Sequence, residues 1–238
     1  MKSWLFALAL VASSVTAEPP PVRDSAAVRD WFRMAELDAG PSVRSRLLAG
    51  QDPNVMNERG QRALHWALMN DSGKALQVLL DDPRTDPNAL NAAGEKPVWL
   101  AAIRGRLDWV QALIQRGASL ERGPQAPEAP ETRAWTILHY AATAPNLKVL
   151  SWLLQERCCD LNAGSTNGST PLMLALGYGS LDAADLLIKA GADIERRNDL
   201  GLSAWDFGVR SGREDAIRRM KLLPAPTPAL AVPLSEKP

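Results

Sequence analysis

The chain has 238 residues, with 27 acidic and 27 basic side chains and no net charge. That balance leaves no electrostatic footprint for nucleic acid or an anionic membrane surface, so neither is expected as a partner. The length allows one sizeable domain or a row of small units.

At the N-terminus, Lys2 precedes an apolar run from Leu5 to Val11 and the small residues Val15, Thr16 and Ala17. The run is too short to cross a bilayer, which takes about 20 apolar residues. Residues 1–17 therefore read as a signal peptide cut after Ala17, followed by a short linker at 18–25. The mature chain is expected to be periplasmic or secreted, with no membrane span.

Past the linker a spacing repeats. Gly60-Gln61-Arg62-Ala63-Leu64-His65 is echoed by Gly94-Glu95-Lys96-Pro97-Val98 after 34 residues and by Ala134-Trp135-Thr136-Ile137-Leu138-His139 after a further 40. Gly168-Ser169-Thr170-Pro171-Leu172 follows at 34, and Gly201-Leu202-Ser203-Ala204-Trp205 at 33. A second stripe keeps step: Leu107, Val110, Leu113 and Ile114 match Leu147, Leu150, Leu153 and Leu154, then Leu181, Ala184, Leu187 and Ile188. These offsets put apolar groups on one helix face. A third echo, "GQDPNVMNERG", "RTDPNALNAAG" and "GADIERRNDLG", closes the units. Thr and Pro suit a helix start, and Gly117 or Gly191 suits a left-handed helix end. Self-similarity near 33 residues marks an array whose hairpins bury each other's faces.

With Gly168 to Leu172, Ala175 and Gly191-Ala192-Asp193 as its best copy, and "ALHWA" (63–67) and "ILHYA" (137–141) as partial ones, the chain resembles the ankyrin-repeat family. The resemblance covers 26–223 and implies an all-α solenoid of five to six helix-turn-helix units with a concave binding side. The units lie near 26–57, 58–91, 92–121, 132–163, 166–197 and 199–223. The last should carry a polar outer face made by Arg210, Arg213, Glu214, Arg218, Arg219 and Lys221.

Two features break the pattern. The connection between Gly117 and Ala134 is seven residues longer than that between Gly191 and Gly201, and its Pro-rich stretch 122–133 reads as a projecting loop. Cys158 and Cys159 replace a Gly-Ala pair. Sequence neighbours rarely bridge, because disulfides favour alpha carbons about 5.5 Å apart. The two read first as small, fairly buried residues, with a vicinal or an intermolecular bridge as the alternatives. The tail 224–238 has no periodicity and is expected to be disordered.

Chemistry is sparse. The two histidines, His65 and His139, both occupy the H of the T-P-L-H pattern, where the resemblance implies hydrogen bonds within and between repeats. Two repeats apart, they make a poor metal site. No nucleophile-base pair, phosphate loop or paired carboxylates emerge, so no catalytic, cofactor or metal site is expected. Trp66, Trp99, Trp109, Trp152 and Trp205 read as core or inter-repeat packing.

Carried over from the family position by position, the turn tips that face a partner are Gln61, Glu95, Trp135, Ser169 and Leu202. The exposed helix ends are Met69, Asn70, Ile103, Arg104, Thr143, Ala144, Gly177 and Tyr178. Trp135 with Ile103, Arg104 and Tyr178 has hot-spot composition. The competing reading has Trp135 covered by the 122–133 loop. The implied function is binding of another protein by a monomer, as an immunity or accessory protein for a toxin or effector, or as a protective factor supporting an oxidative-stress enzyme. An unrecognised enzyme and a structural spacer are the alternatives of other classes.

Overall fold

A computed structural model describes residues 26–120 and 135–220. The expected signal peptide, linker, 122–133 loop and 224–238 tail lie outside the described residues. First helices α1 (Ala26–Glu36), α3 (Ala63–Met69), α5 (Pro97–Ile103), α7 (Ile137–Ala141), α9 (Pro171–Gly177) and α11 (Ala204–Arg210) alternate with second helices. The latter are α2 (Gly40–Leu48), α4 (Gly73–Asp81), α6 (Leu107–Gln115), α8 (Lys148–Glu156), α10 (Leu181–Lys189) and α12 (Glu214–Met220). Isolated bridges Met56–Arg62 and Arg197–Ser203 close finger stems.

The local starts follow the chemistry of the turns. Thr170 Oγ1 accepts the Met173 N–H at 3.3 Å and Pro171 fills the first turn of α9, while Ser180 Oγ caps α10 through the Ala183 N–H at 3.0 Å. Gly117 and Gly191 end α6 and α10 at φ 90° and 97°. After α8 the left-handed residue is Arg157, at φ 50°.

Each first helix packs on the next first helix and on its own partner, and α2–α4, α6–α8 and α8–α10 also touch. The stripe anticipated from the sequence forms the interior: Val110 and Leu113, Leu150 and Leu153, and Ala184 and Leu187 are all buried. Buried Ala101, Ala102, Ala141 and Ala142 keep the first helices close. Trp99, Trp109 and Trp205 are buried, with Trp66 and Trp152 half-buried against the same core.

Polar groups fix the register between units. Asn54, Asn88 and Asn162 accept backbone N–H bonds from Asp86, Ser119 and Asp193 of the following unit, at 2.9, 2.8 and 2.7 Å. Asp52, Asp86 and Asp160 hold the N–H groups of those same asparagines. Within the fingers, Asn57, Asn91 and Asn198 each accept two backbone N–H bonds, and Gly60 turns at φ 68°. A Cβ on Gly60 would lie 2.1 Å from the Ala92 Cβ, so two adjacent fingers can approach only with glycine there.

The histidines play the bridging part the resemblance implies. His65 Nε2 lies 3.0 Å from the Glu95 carbonyl and His139 Nε2 3.0 Å from the Ser169 carbonyl, each one unit ahead. The Thr136 N–H donates to His139 Nδ1, and the Thr136 hydroxyl lies 2.9 Å from it. Arg62 takes the corresponding place before His65, whose buried Nδ1 has no partner. Burial lowers the His65 pKa to about 4.

Three local expectations need correction. Cys158 is exposed and Cys159 half-buried, because the turn after α8 opens toward solvent. Arg213 does more than face outward: its Nη1 donates to the Ala175 and Leu176 carbonyls at 3.2 Å, covering the end of α9. Ala144 is buried, since the chain folds inward before α8. Arg218 pairs with Glu214 and covers the Trp205 ring, whereas the Arg219 side chain and Lys221 lie outside the description.

Leu150→Ala should destabilise the protein by about 2–5 kcal/mol, and removal of the exposed Leu48 side chain by less than about 0.5 kcal/mol, in denaturant melts. His65 is held neutral in the fold and titrates near its ordinary value when unfolded. Its contribution is therefore full above the unfolded pKa of 6.5 and is lost as pH falls toward about 4. That loss is on the order of 3 kcal/mol, and in His65→Asn the slope of stability over this window should flatten.

Candidate protein-binding groove

Finger turns and first-helix ends succeed one another on one side of the stack. Ile103 ends α5 and Arg104 caps it, Trp135 precedes α7, Tyr178 caps α9, and Leu202 precedes α11. These five residues line a single groove of about 840 Å³, together with Leu174, Leu200, Phe207 and Arg210. Leu200 is 73% exposed and Tyr178 48% exposed, so the groove carries large apolar side chains open to solvent.

Trp135 is not the bare turn tip expected from the sequence. Its ring centroid lies 5.3 Å from His139 and 5.5 Å from Tyr140, and Tyr140 stacks on Trp99 at 5.4 Å. Trp135 thus forms a half-buried wall on an aromatic column, pinned where Tyr140 donates its hydroxyl hydrogen to Glu95 Oε1 at 3.1 Å. Burial beside the Glu95 carboxylate pushes the Tyr140 phenol well above its usual range, which keeps that donor proton in place. The competing cover by the 122–133 loop falls outside the described residues.

Of the other sequence candidates, Gln61, Glu95, Met69, Asn70 and Ala144 do not line this groove. Gln61 Oε1 and Glu95 Oε2 both accept from Asn91 Nδ2, at 3.2 and 2.7 Å, so these turn-tip side chains join neighbouring fingers. Met69 is half-buried on the core, and Asn70 caps the end of α3 by donating to the Trp66 carbonyl at 2.9 Å. Thr143 and Gly177 line the groove; Ser169 lines it as well but is buried, bound to Asn198 Nδ2 at 3.0 Å.

Charge on the groove wall is predominantly positive. Arg104, Arg106 and Arg210 line it against the one carboxylate of Asp71. Asp71 is bonded to Arg106 at 2.6 Å, and the same guanidinium also holds Asp108 and covers the Trp109 ring at 3.7 Å. Arg104 is half-buried and Arg210 exposed on this lining.

Leu200, Phe207 and Arg210 were not selected as contact residues from the sequence. Leu200 had a readable signal: in the finger pattern Asn-x-x-Gly it occupies the place of Arg59 and Ala93. A single exposed Leu is ordinary, but this one adjoins Tyr178, Leu202 and Phe207 on one groove lining, and a contiguous apolar patch is informative. Among the described residues there is no group of His, Cys, Asp or Glu placed to hold a metal ion, and no helix is long and apolar enough to cross a membrane.

Residues 33–124 and 120–198 match the family model for ankyrin repeats (3 copies). The chain is 27% identical over 175 residues to the nuclear factor NF-kappa-B p105 subunit of Gallus gallus, covering 73% of this chain and 17% of that protein. It is 30% identical over 159 residues to the B-cell lymphoma 3 protein homolog of Mus musculus, covering 66% and 34%. It therefore spans only a minor part of these relatives. Among solved structures, it superposes on a chain from the complex of the Bd0816 predatory endopeptidase of Bdellovibrio bacteriovorus with immunity protein Bd3460, with TM-score 0.62 and 24% identity over 79% of this chain and 96% of that one. The ankyrin repeat domain of Bcl-3 gives TM-score 0.59 and 28% identity over 79% and 81%.

The packing of the groove separates wall from contact. Trp135→Ala should lower stability by about 2 kcal/mol, whereas Leu200→Ser should stay within about 0.5 kcal/mol of wild type in the same denaturant titration.

Proposed function

Because the chain belongs to the ankyrin-repeat family, we propose that it is a non-enzymatic module that grips another protein in the groove between Ile103 and Arg210. The observation that carries this reading is the exposure of Tyr178 and Leu200 beside the rigid Trp135 wall. Fixed aromatic surface loses little conformational entropy on binding, and apolar side chains already in water gain most when covered. The rim arginines favour a partner segment that carries carboxylates next to aliphatic or aromatic anchors.

Within this reading the protein works as a monomer in the periplasm, after loss of 1–17, as an immunity or accessory protein that occupies a toxin or secreted effector. The signal-like N-terminus supports the compartment. The fold shared with a chain of the endopeptidase–immunity protein complex supports the role by precedent of architecture.

A photoreactive residue replacing Tyr178 should cross-link one discrete partner in an extract of the native host. The same probe replacing Leu48, which is 84% exposed on α2 outside the groove, should not. Leu200→Asp should weaken capture by about 30-fold, the equivalent of roughly 2 kcal/mol, and added salt should weaken it further. Equal cross-linking from both positions, or capture indifferent to Leu200→Asp, would remove the groove from the mechanism.

A further inference from the structure

The turn after α8 departs from its counterparts in a way that gathers two thiols. After α6 and α10 a left-handed glycine is followed by Ala118 or Ala192, whose N–H donates to the Leu113 or Leu187 carbonyl at 2.9 and 3.0 Å. Counted from Leu153, the match of Leu113 and Leu187, Arg157 takes the left-handed glycine's place and Cys158 the alanine's, with Cys159 directly after it. The matching carbonyl, that of Leu153, instead accepts a long bond from the Cys158 thiol at 3.8 Å. The helix end is thus tied by sulfur where its neighbours are tied by backbone.

The two sulfurs lie 2.8 Å apart, against about 2.05 Å for a formed bridge. Cys158 is exposed, while Cys159 packs against the core. We propose that Cys158 and Cys159 form a redox-sensitive dithiol that closes into a vicinal disulfide on meeting a small-molecule disulfide. Cys158, reached from solvent, loses its proton and its thiolate attacks one sulfur of the oxidant. A Cys158 mixed disulfide forms and the first thiolate half of the oxidant leaves. Cys159 then attacks Cys158 Sγ, giving up its proton as the second half departs as a thiol. Two cysteine thiols are oxidised by two electrons and one disulfide is reduced to two thiols.

Burial raises the Cys159 pKa above that of an ordinary thiol, so the solvent-reached Cys158 is the thiol that starts the exchange. Closure withdraws the S–H donor from the Leu153 carbonyl and loosens the last turn of α8. A ring joining adjacent residues is strained and hence readily reduced, so the change is reversible.

The test uses the full chain, reduced with dithiothreitol, desalted and exposed to oxidised glutathione, then read by intact mass and by alkylation mapping. The expected product is a monomer about 2 Da lighter with both cysteines blocked to iodoacetamide and restored by dithiothreitol. Cys159→Ser should retain one glutathione on Cys158, which shows the order of attack without relying on the closed ring. A wild-type chain that keeps a glutathione adduct, dimerises through Cys158 or stays fully reduced would overturn the proposal.

Discussion

Asn54, Asn88 and Asn162 each hold a backbone N–H that lies 32, 31 and 31 residues further along the chain. His65 and His139 reach the next finger at a separation of 30. These bonds matter because a turn left alone would expose polar groups that its own hairpin cannot pair. The buried stripe steps by 40 residues from Val110 and Leu113 to Leu150 and Leu153, across the longer connection, and by 34 to Ala184 and Leu187, so polar register and apolar burial are both satisfied by the same stacking. Neither would persist without the other. A hairpin of two short helices has too little interior to stand by itself, and its neighbours supply the rest.

Repetition also produces the groove. Each unit presents a finger and a helix end at the same height, so five similar positions line up without any one of them being shaped for the purpose. What distinguishes this groove is the set of side chains placed where repetition leaves freedom. The column of Trp99, Tyr140 and Trp135 makes one wall rigid, and Tyr178 and Leu200 are left uncovered beside it. Arg104 and Arg210 bring charge to the edge, while Arg106 is already engaged with Asp71 and Asp108. The frame is therefore generic, and what is particular to this chain is a few departures from the repeat. The cysteine pair after α8 is a departure of the same kind on a helix end.

Periodicity made the helix pairs and the buried leucine stripe legible, because a 33-residue echo records the stacking itself. Caps such as Thr170 and Ser180 could be anticipated in kind from local chemistry. The groove was only partly legible. Trp135, Tyr178, Ile103, Arg104 and Leu202 do share one surface, since family positions translate into faces of a regular stack. Gln61 and Glu95 serve neighbouring fingers instead, because Asn91 lies within hydrogen-bond reach of both. Sequence spacing cannot disclose such a contact, as it depends on how closely two turns approach. The packing of Trp135 on Tyr140 was hidden for the same reason. Leu200 is visible as an apolar residue at a polar turn, but it departs from the repeat, so matching positions between units do not point to it.

The interdependence of the units can be measured directly by native-state hydrogen exchange on the intact protein. Leu113 is wholly buried on α6, within the array. Leu113→Ala should lower amide protection in α5 and α6 and also in α3 and α8, because those helices draw their cover from the same interior. Loss of protection confined to α5 and α6, with the adjoining hairpins unchanged, would contradict the dependence of each hairpin on the next.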